Sequence, residues 1–122
     1  MADEGGALPA REAVAREVAG RAGVGLEGVT ILVIEDPGYQ AYMRRMGAVA
    51  VTPSDLESPR IDLMPEAFTS LEGLARTLGH ERNHVAQLML YGPPGTESLE
   101  RWEEASVLVE DQYVGYLRGE LT

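Results

Sequence analysis

The spacing of apolar positions changes several times along the chain, and each change marks an element. Pro9 suits a helix start, and Val14, Val18 and Ala22 fall on one helical stripe, which predicts a helix over residues 9–21. Gly23, Gly25 and Gly28 interrupt that pattern ahead of a β-branched run over residues 29–35, which Asp36, Pro37 and Gly38 end; the run reads as a largely buried strand. Residues 39–46 fit either a short helix or a loop. Residues 48–52 read as a second strand stopped by Pro53, residues 53–59 as a loop, and the period-two alternation of residues 60–64 as a half-buried third strand before Pro65. From Thr69 or Ser70 a helical pattern persists to Tyr91, where Gly92, Pro93, Pro94 and Gly95 stop it. A last helix starts near Thr96 or Ser98 and reaches about Arg118, with Leu99, Trp102, Ser106, Val109, Tyr113 and Tyr116 at three- and four-residue spacing.

The order is helix, three strands, two helices, without internal repeats, and the linker-like residues 92–96 are too short to separate domains. The expected fold is α+β: an N-terminal helix, a small three-stranded sheet whose directions can be mixed, a long helix and a C-terminal helix. Residues 1–8 read as a loose acidic leader and residues 9–122 as a single domain, since 122 residues build one core and not two. Ten basic residues, all Arg, stand against 20 acidic ones, and a net charge of −10 disfavours binding to phosphate backbones, so no nucleic-acid partner is expected. No apolar run approaches the ~18 residues of a membrane helix. The first residues lack the cationic and apolar regions of a secretory signal, so a cytoplasmic protein without a membrane partner is expected. With no cysteine, any metal chemistry must use His, Asp or Glu.

That restriction matters because both histidines of the chain lie in one pentapeptide, His80, Glu81, Arg82, Asn83, His84. Within a helix, a four-residue spacing is just over one turn, so both imidazoles can meet one ion, while Glu81 sits ~100° round, beside the open metal position. The pattern suits Zn2+ with Glu81 as general base. Leu71, Leu74, Ala75, Leu78, Val85 and Met89 centre on another face, and the histidines point ~140° away from it with Gly73, Thr77, Gln87 and Tyr91. They are therefore not core residues; the plain alternative to metal binding is an exposed polar stripe. A catalytic zinc takes three protein ligands, and without another His or Cys the third must be a carboxylate.

Residues 74–88 resemble the active-site helix of zincin metallopeptidases, with the specific motif confined to residues 77–88. The layout is similar to that of small stand-alone zincin-like peptidases, in which a helix and a short sheet precede the metal helix. The metzincin variant is excluded, because Leu90 stands where its third His would fall. In gluzincins a Glu on the following helix, often about twenty residues after the second His and followed by Ala, completes the site. Glu104, followed by Ala105, fits that pattern and is preferred as third ligand; Glu103 is the alternative, since it flanks the apolar face of its helix while Glu104 projects away from it. The Asp that family helices carry four positions after the ligand Glu is replaced by Leu108, and Asp111 is left to orient a ligand His or to serve as third ligand itself. Tyr113 and Tyr116 are candidate oxyanion donors, with core packing as their competing role. The resemblance implies a zinc-dependent hydrolase acting on a peptide or protein substrate, with water activated by the metal and Glu81, and with residues 48–52 or 60–64 pairing with an extended substrate.

Two rival expectations use the same stretch. Ala75, Gly79, Val85 and Leu88 also fit a helix-turn-helix, whose recognition helix over residues 82–91 would offer Arg82, Asn83, His84 and Gln87 to base edges. Only Arg76, Arg82 and Arg101 are nearby to hold phosphates. That arrangement requires a break around residues 79–82, whereas a zincin requires one continuous helix over residues 70–91. The other rival is a zincin-fold binding module without catalysis.

Overall fold

The computed structural model describes residues 8–53, 58–92 and 96–119, with the side chains of 96–98 and 116 outside that description. Its elements are α1 (Glu12–Ala22), β1 (Thr30–Val33), α2 (Pro37–Met46), β2 (Ala50–Val51), β3 (Arg60–Leu63), a 3-10 turn (Pro65–Phe68), α3 (Leu71–Tyr91) and α4 (Thr96–Leu117). The fold is α+β with a mixed sheet of order β1-β3-β2.

Residues 39–46, open between helix and loop on sequence, are helical. Asp36, which ends the β1 run, also caps α2, its carboxylate accepting from the Tyr39 amide at 2.8 Å, and Pro37 supplies the preset first helical position. Residues 1–7 of the expected leader lie outside the described residues. Leu8 is not loose: it is buried, and its amide donates to the Phe68 carbonyl at 2.7 Å.

β3 is the central strand. It runs parallel to β1, with Ile31 opposite Ile61, and antiparallel to β2, with Val51 opposite Asp62. Alternation along β3 sends Ile61 and Leu63 into the main core with Ala15, Val18, Phe68, Leu74 and Leu78, from α1, the 3-10 turn and α3. Its other face meets α2, where Met64, Ile34 and Met43 form a smaller cluster. Asp62 on that face is fully buried, and burying a carboxylate is costly unless it is paired. It accepts from the Arg60 guanidinium at 2.6 and 3.0 Å and from the Tyr39 hydroxyl at 2.6 Å. Burial and the Asp62 hydrogen bond push the Tyr39 hydroxyl up to about 12.

α3 starts at Ser70, whose hydroxyl accepts from the Gly73 amide at 3.0 Å, and runs unbroken to Tyr91. The hinge that a helix-turn-helix needs at residues 79–82 is absent. Gly79 serves close helix packing instead: a Cβ there would lie 2.1 Å from Cδ2 of Tyr113, so only glycine lets the tyrosine ring rest on α3. Arg82 and Asn83, the expected base readers, are engaged within the protein, Arg82 donating to the Gly25 carbonyl at 2.6 Å and Asn83 to the Ser106 hydroxyl at 3.0 Å. α4 returns antiparallel along α3, with Arg118 ion-paired to Glu72 at one end and Gln87 bonded to the Trp102 carbonyl at the other. No helix among the described residues is long and apolar enough to cross a membrane.

Candidate metal centre

The face of α3 that carries the histidines is covered by α4, so they are not on an open polar stripe: each side chain is only 15% exposed. The rings stand one helical turn apart, edge to face, with centroids 4.9 Å apart. The Nδ1 atom of His80 lies 2.6 Å from a Glu110 carboxylate oxygen, and that of His84 lies 2.8 Å from the Gln87 side-chain oxygen. The Gln87 amide nitrogen donates to the Trp102 carbonyl at 3.3 Å, which fixes the orientation of the amide. Both carboxylate and amide oxygens can accept, so a proton on Nδ1 of each ring satisfies these contacts and leaves Nε2 as the free donor atom; the Ser106 hydroxyl, which accepts from Asn83, lies 3.4 Å from the same His84 nitrogen. The Nε2 atoms both turn to Glu103: that of His80 is 3.2 Å from each carboxylate oxygen, and that of His84 makes a short contact with one of them.

With Nδ1–H on both rings, two Nε2 lone pairs face one carboxylate, an arrangement relieved by a cation among the three groups or by a proton on an imidazole or on the carboxylate. The ligand atoms of His80, His84 and Glu103 lie within 4.8 Å of one another. The 3.2 Å separations are close to the ~3.3 Å edge of a tetrahedron with bonds of ~2.0–2.1 Å. Nitrogen and carboxylate donors of this kind suit a divalent transition ion, zinc among them. Burial pushes the His80 imidazolium down, but the Glu110 hydrogen bond and the charges of Glu81 and Glu103 outweigh it and hold its pKa above the ordinary value.

Glu81 extends from the same helix toward the sheet and is buried. The hydroxyl of Thr52, one residue beyond β2, lies 2.8 Å from its carboxylate and 3.1 Å from its own backbone carbonyl. Burial raises the Glu81 pKa against the opposing pull of the Thr52 hydrogen bond and the two histidines. A buried carboxyl beside the histidine pair is suited to exchange a proton with a group held in the cleft. Clefts open on both sides of it. One of about 290 Å³ is walled by Val51, Leu88, Leu99 and Trp102; the other, of about 340 Å³, is lined by Arg76, Thr77, His80 and Glu110. Ala50, Glu81 and Glu103 border both.

The structure thus brings His80, Glu81, His84 and Glu103 together, and leaves Glu104 out. Both glutamates are exposed, Glu103 at 57%, but a helix turns ~100° per residue, and the phase that brings Glu103 to the histidines, with Ser106 and Glu110 on the α3 side, turns Glu104 away. Asp111 is also outside the cluster: it is 87% exposed and paired with Arg76 at 2.7 Å. Tyr113 packs on Gly79 in the core and borders neither cleft, which does not suit an oxyanion donor. The Tyr116 side chain lies outside the described residues. The sequence places Gln87 on the histidine face without giving it a role toward His84, and singles out neither Glu110 nor Thr52. Glu110 stands seven positions after Glu103, two turns along the same face, and that spacing was the available signal. No signal linked Thr52 to Glu81, since their meeting depends on how the sheet packs against α3. Comparison of the chain with protein-family models, curated proteins and solved structures gives no match.

Proposed function

We propose that this chain is a minimal zinc-dependent peptide hydrolase of zincin-like fold, with His80, His84 and Glu103 as metal ligands and Glu81 as general base. One observation carries it: both Nε2 atoms converge on a single carboxylate while both Nδ1 atoms face side-chain oxygens, with the buried Glu81 carboxyl alongside. Hydrogen-bonded Nδ1 atoms of this sort fix the ring orientation that a metal-binding histidine needs. When bound, zinc lowers the pKa of its water to about 7 and polarises the carbonyl to be attacked. Glu81 accepts the proton of the attacking water and passes it to the departing amine nitrogen as the C–N bond breaks, while Thr52 keeps its carboxylate in the cleft. β3 is paired on both sides and has no edge to offer a substrate; β2 is an outer strand that borders both clefts, so residues 48–52 are the segment suited to pairing with an extended peptide.

The test is metal content by inductively coupled plasma after purification without chelator, followed by zinc titration and peptide hydrolysis. One zinc per chain in the wild type, none in His80→Ala, and full zinc with no hydrolysis in Glu81→Gln are expected. A wild-type protein that takes up no stoichiometric zinc, or hydrolysis persisting in Glu81→Gln, would defeat the proposal. Zinc binding without hydrolysis in the wild type would leave a binding module.

A further inference from the structure

The two clefts beside Glu81 differ in chemistry. Beyond the Ala50, Glu81 and Glu103 that they share, one adds Arg76, Thr77, His80 and Glu110 beside the small apolar segment 47–49, while the other adds the large apolar side chains of Val51 on β2, Leu88 on α3 and Leu99 and Trp102 on α4, with Thr52 and His84. Leu99 is half exposed there and forms part of the apolar wall with Trp102. The apolar cleft is continuous with the candidate metal centre, because His84, Glu81 and Glu103 form its wall. Its volume of about 290 Å³ exceeds the roughly 150 Å³ that accommodates a benzene ring in an apolar cavity. Gln87 ties the two parts together: its side-chain oxygen accepts from His84, and its amide nitrogen donates to the Trp102 carbonyl. We infer that this cleft is a specificity pocket, and that the substrates are extended peptides carrying a bulky apolar side chain, such as Phe or Leu, beside the bond that is cut. The inference rests on the hydrolase function proposed above and names the substrate class for the same site. Val51, Leu88, Leu99 and Trp102 give the side chain apolar contact, and the polar cleft beyond Glu81 receives the other side of the bond.

Trp102 is the only tryptophan, so its emission reports occupancy of the pocket without any turnover. The experiment titrates zinc-loaded Glu81→Gln with blocked short peptides that differ at one position, Phe or Leu against Ser or Asp. Binding about ten-fold or more tighter for Phe and Leu, with a shift in Trp102 emission, is expected. Leu99→Asp, at an already exposed position, should remove that preference while leaving zinc stoichiometry at one; Trp102→Ala, followed by calorimetry, should do the same. Equal binding of all the peptides, no binding of any, or a preference that survives Leu99→Asp would overturn the pocket. Cleavage mapping on the wild type separates this outcome from the fate of the hydrolase proposal. Cuts always beside an apolar residue on one constant side support both, and cuts without side-chain preference overturn the pocket alone. Selective binding of Phe peptides that the wild type never cuts overturns hydrolysis and leaves the pocket standing.

Discussion

At the scale of single residues, the proposed centre depends on which nitrogen each histidine offers. Glu110 and Gln87 occupy the Nδ1 positions, so Nε2 is left for a ligand in both rings, and Glu103 is the carboxylate that both reach. Glu103→Ala should therefore weaken zinc binding by more than 100-fold, while Glu104→Ala leaves it unchanged; competition titration against a chromogenic chelator reads the difference, and equal losses would remove Glu103 from the ligand set. Glu110→Ala keeps all three proposed ligands but frees the His80 ring, and a loss of about 10–100-fold in zinc affinity is expected. Tyr39 supplies a pH dependence far from that site. Its folded pKa of about 12 lies above the ordinary tyrosine value of 10.0, so the neutral hydroxyl contributes stability that is complete below pH 10.0 and is lost as pH rises through about 12. Alkaline titration followed by ultraviolet absorbance should show one of the five tyrosines ionising last in the wild type, and Tyr39→Phe should abolish that step. A wild-type protein whose tyrosines all ionise together would contradict the buried Asp62 pairing.

At the scale of elements, α3 and α4 decide the site between them, and their contact is set by a glycine. Gly79→Ala would put a methyl group 2.1 Å from the Tyr113 ring, and overpacking of this kind costs about 1–3 kcal/mol. Because the strain is relieved by moving α4 outward, it should also draw Glu103 away from the histidines and lower zinc affinity, although residue 79 touches no metal. A Gly79→Ala protein with unchanged thermal midpoint and zinc affinity would refute that coupling. The same glycine marks the limit of what the sequence could reveal. The 3.6-residue period made α3 legible from Ser70 to Tyr91, and His80, Glu81 and His84 with it. Apolar spacing alone, however, could not tell a hinge at Gly79 from a ring seated on it, because that depends on where α4 passes. Which carboxylate meets the histidines was ambiguous for a related reason. Spacing favoured Glu104 and helical phase favoured Glu103, and the phase of α4 against α3 is a packing property settled by Ser106, Val114 and Tyr113. β1 and β2 are shorter than the runs at residues 29–35 and 48–52 predict, because β-branched runs report burial as well as pairing, and Ile34 is buried beyond the end of β1.

At the scale of the whole molecule, the excess of negative charge and the proposed metal are linked. The chain carries a formal charge of −10, and the contact between α3 and α4 gathers Glu81, Glu103 and Glu110 around two histidines. The ion pairs flanking that contact, Arg76 with Asp111 and Arg118 with Glu72, are exposed and contribute little to stability. A divalent cation at the centre would join α3 to α4 and offset the clustered carboxylates, and a ligand that binds only the native state stabilises it by about 2.7 kcal/mol at a hundred-fold excess over Kd. For a domain of this size that corresponds to a rise in Tm of roughly 10 °C. Any cation would screen an acidic surface, so the control is the identity of the ion. Mg2+ prefers six oxygen ligands and should raise Tm far less than Zn2+ at the same concentration, because the centre offers two imidazole nitrogens and one carboxylate. Differential scanning fluorimetry of the metal-free protein with each ion separates the two effects. A rise with Zn2+ alone, absent in Glu103→Ala, is the outcome expected of a built centre. An equal rise with Mg2+, or one that persists in Glu103→Ala, would reduce the stabilisation to screening of surface charge.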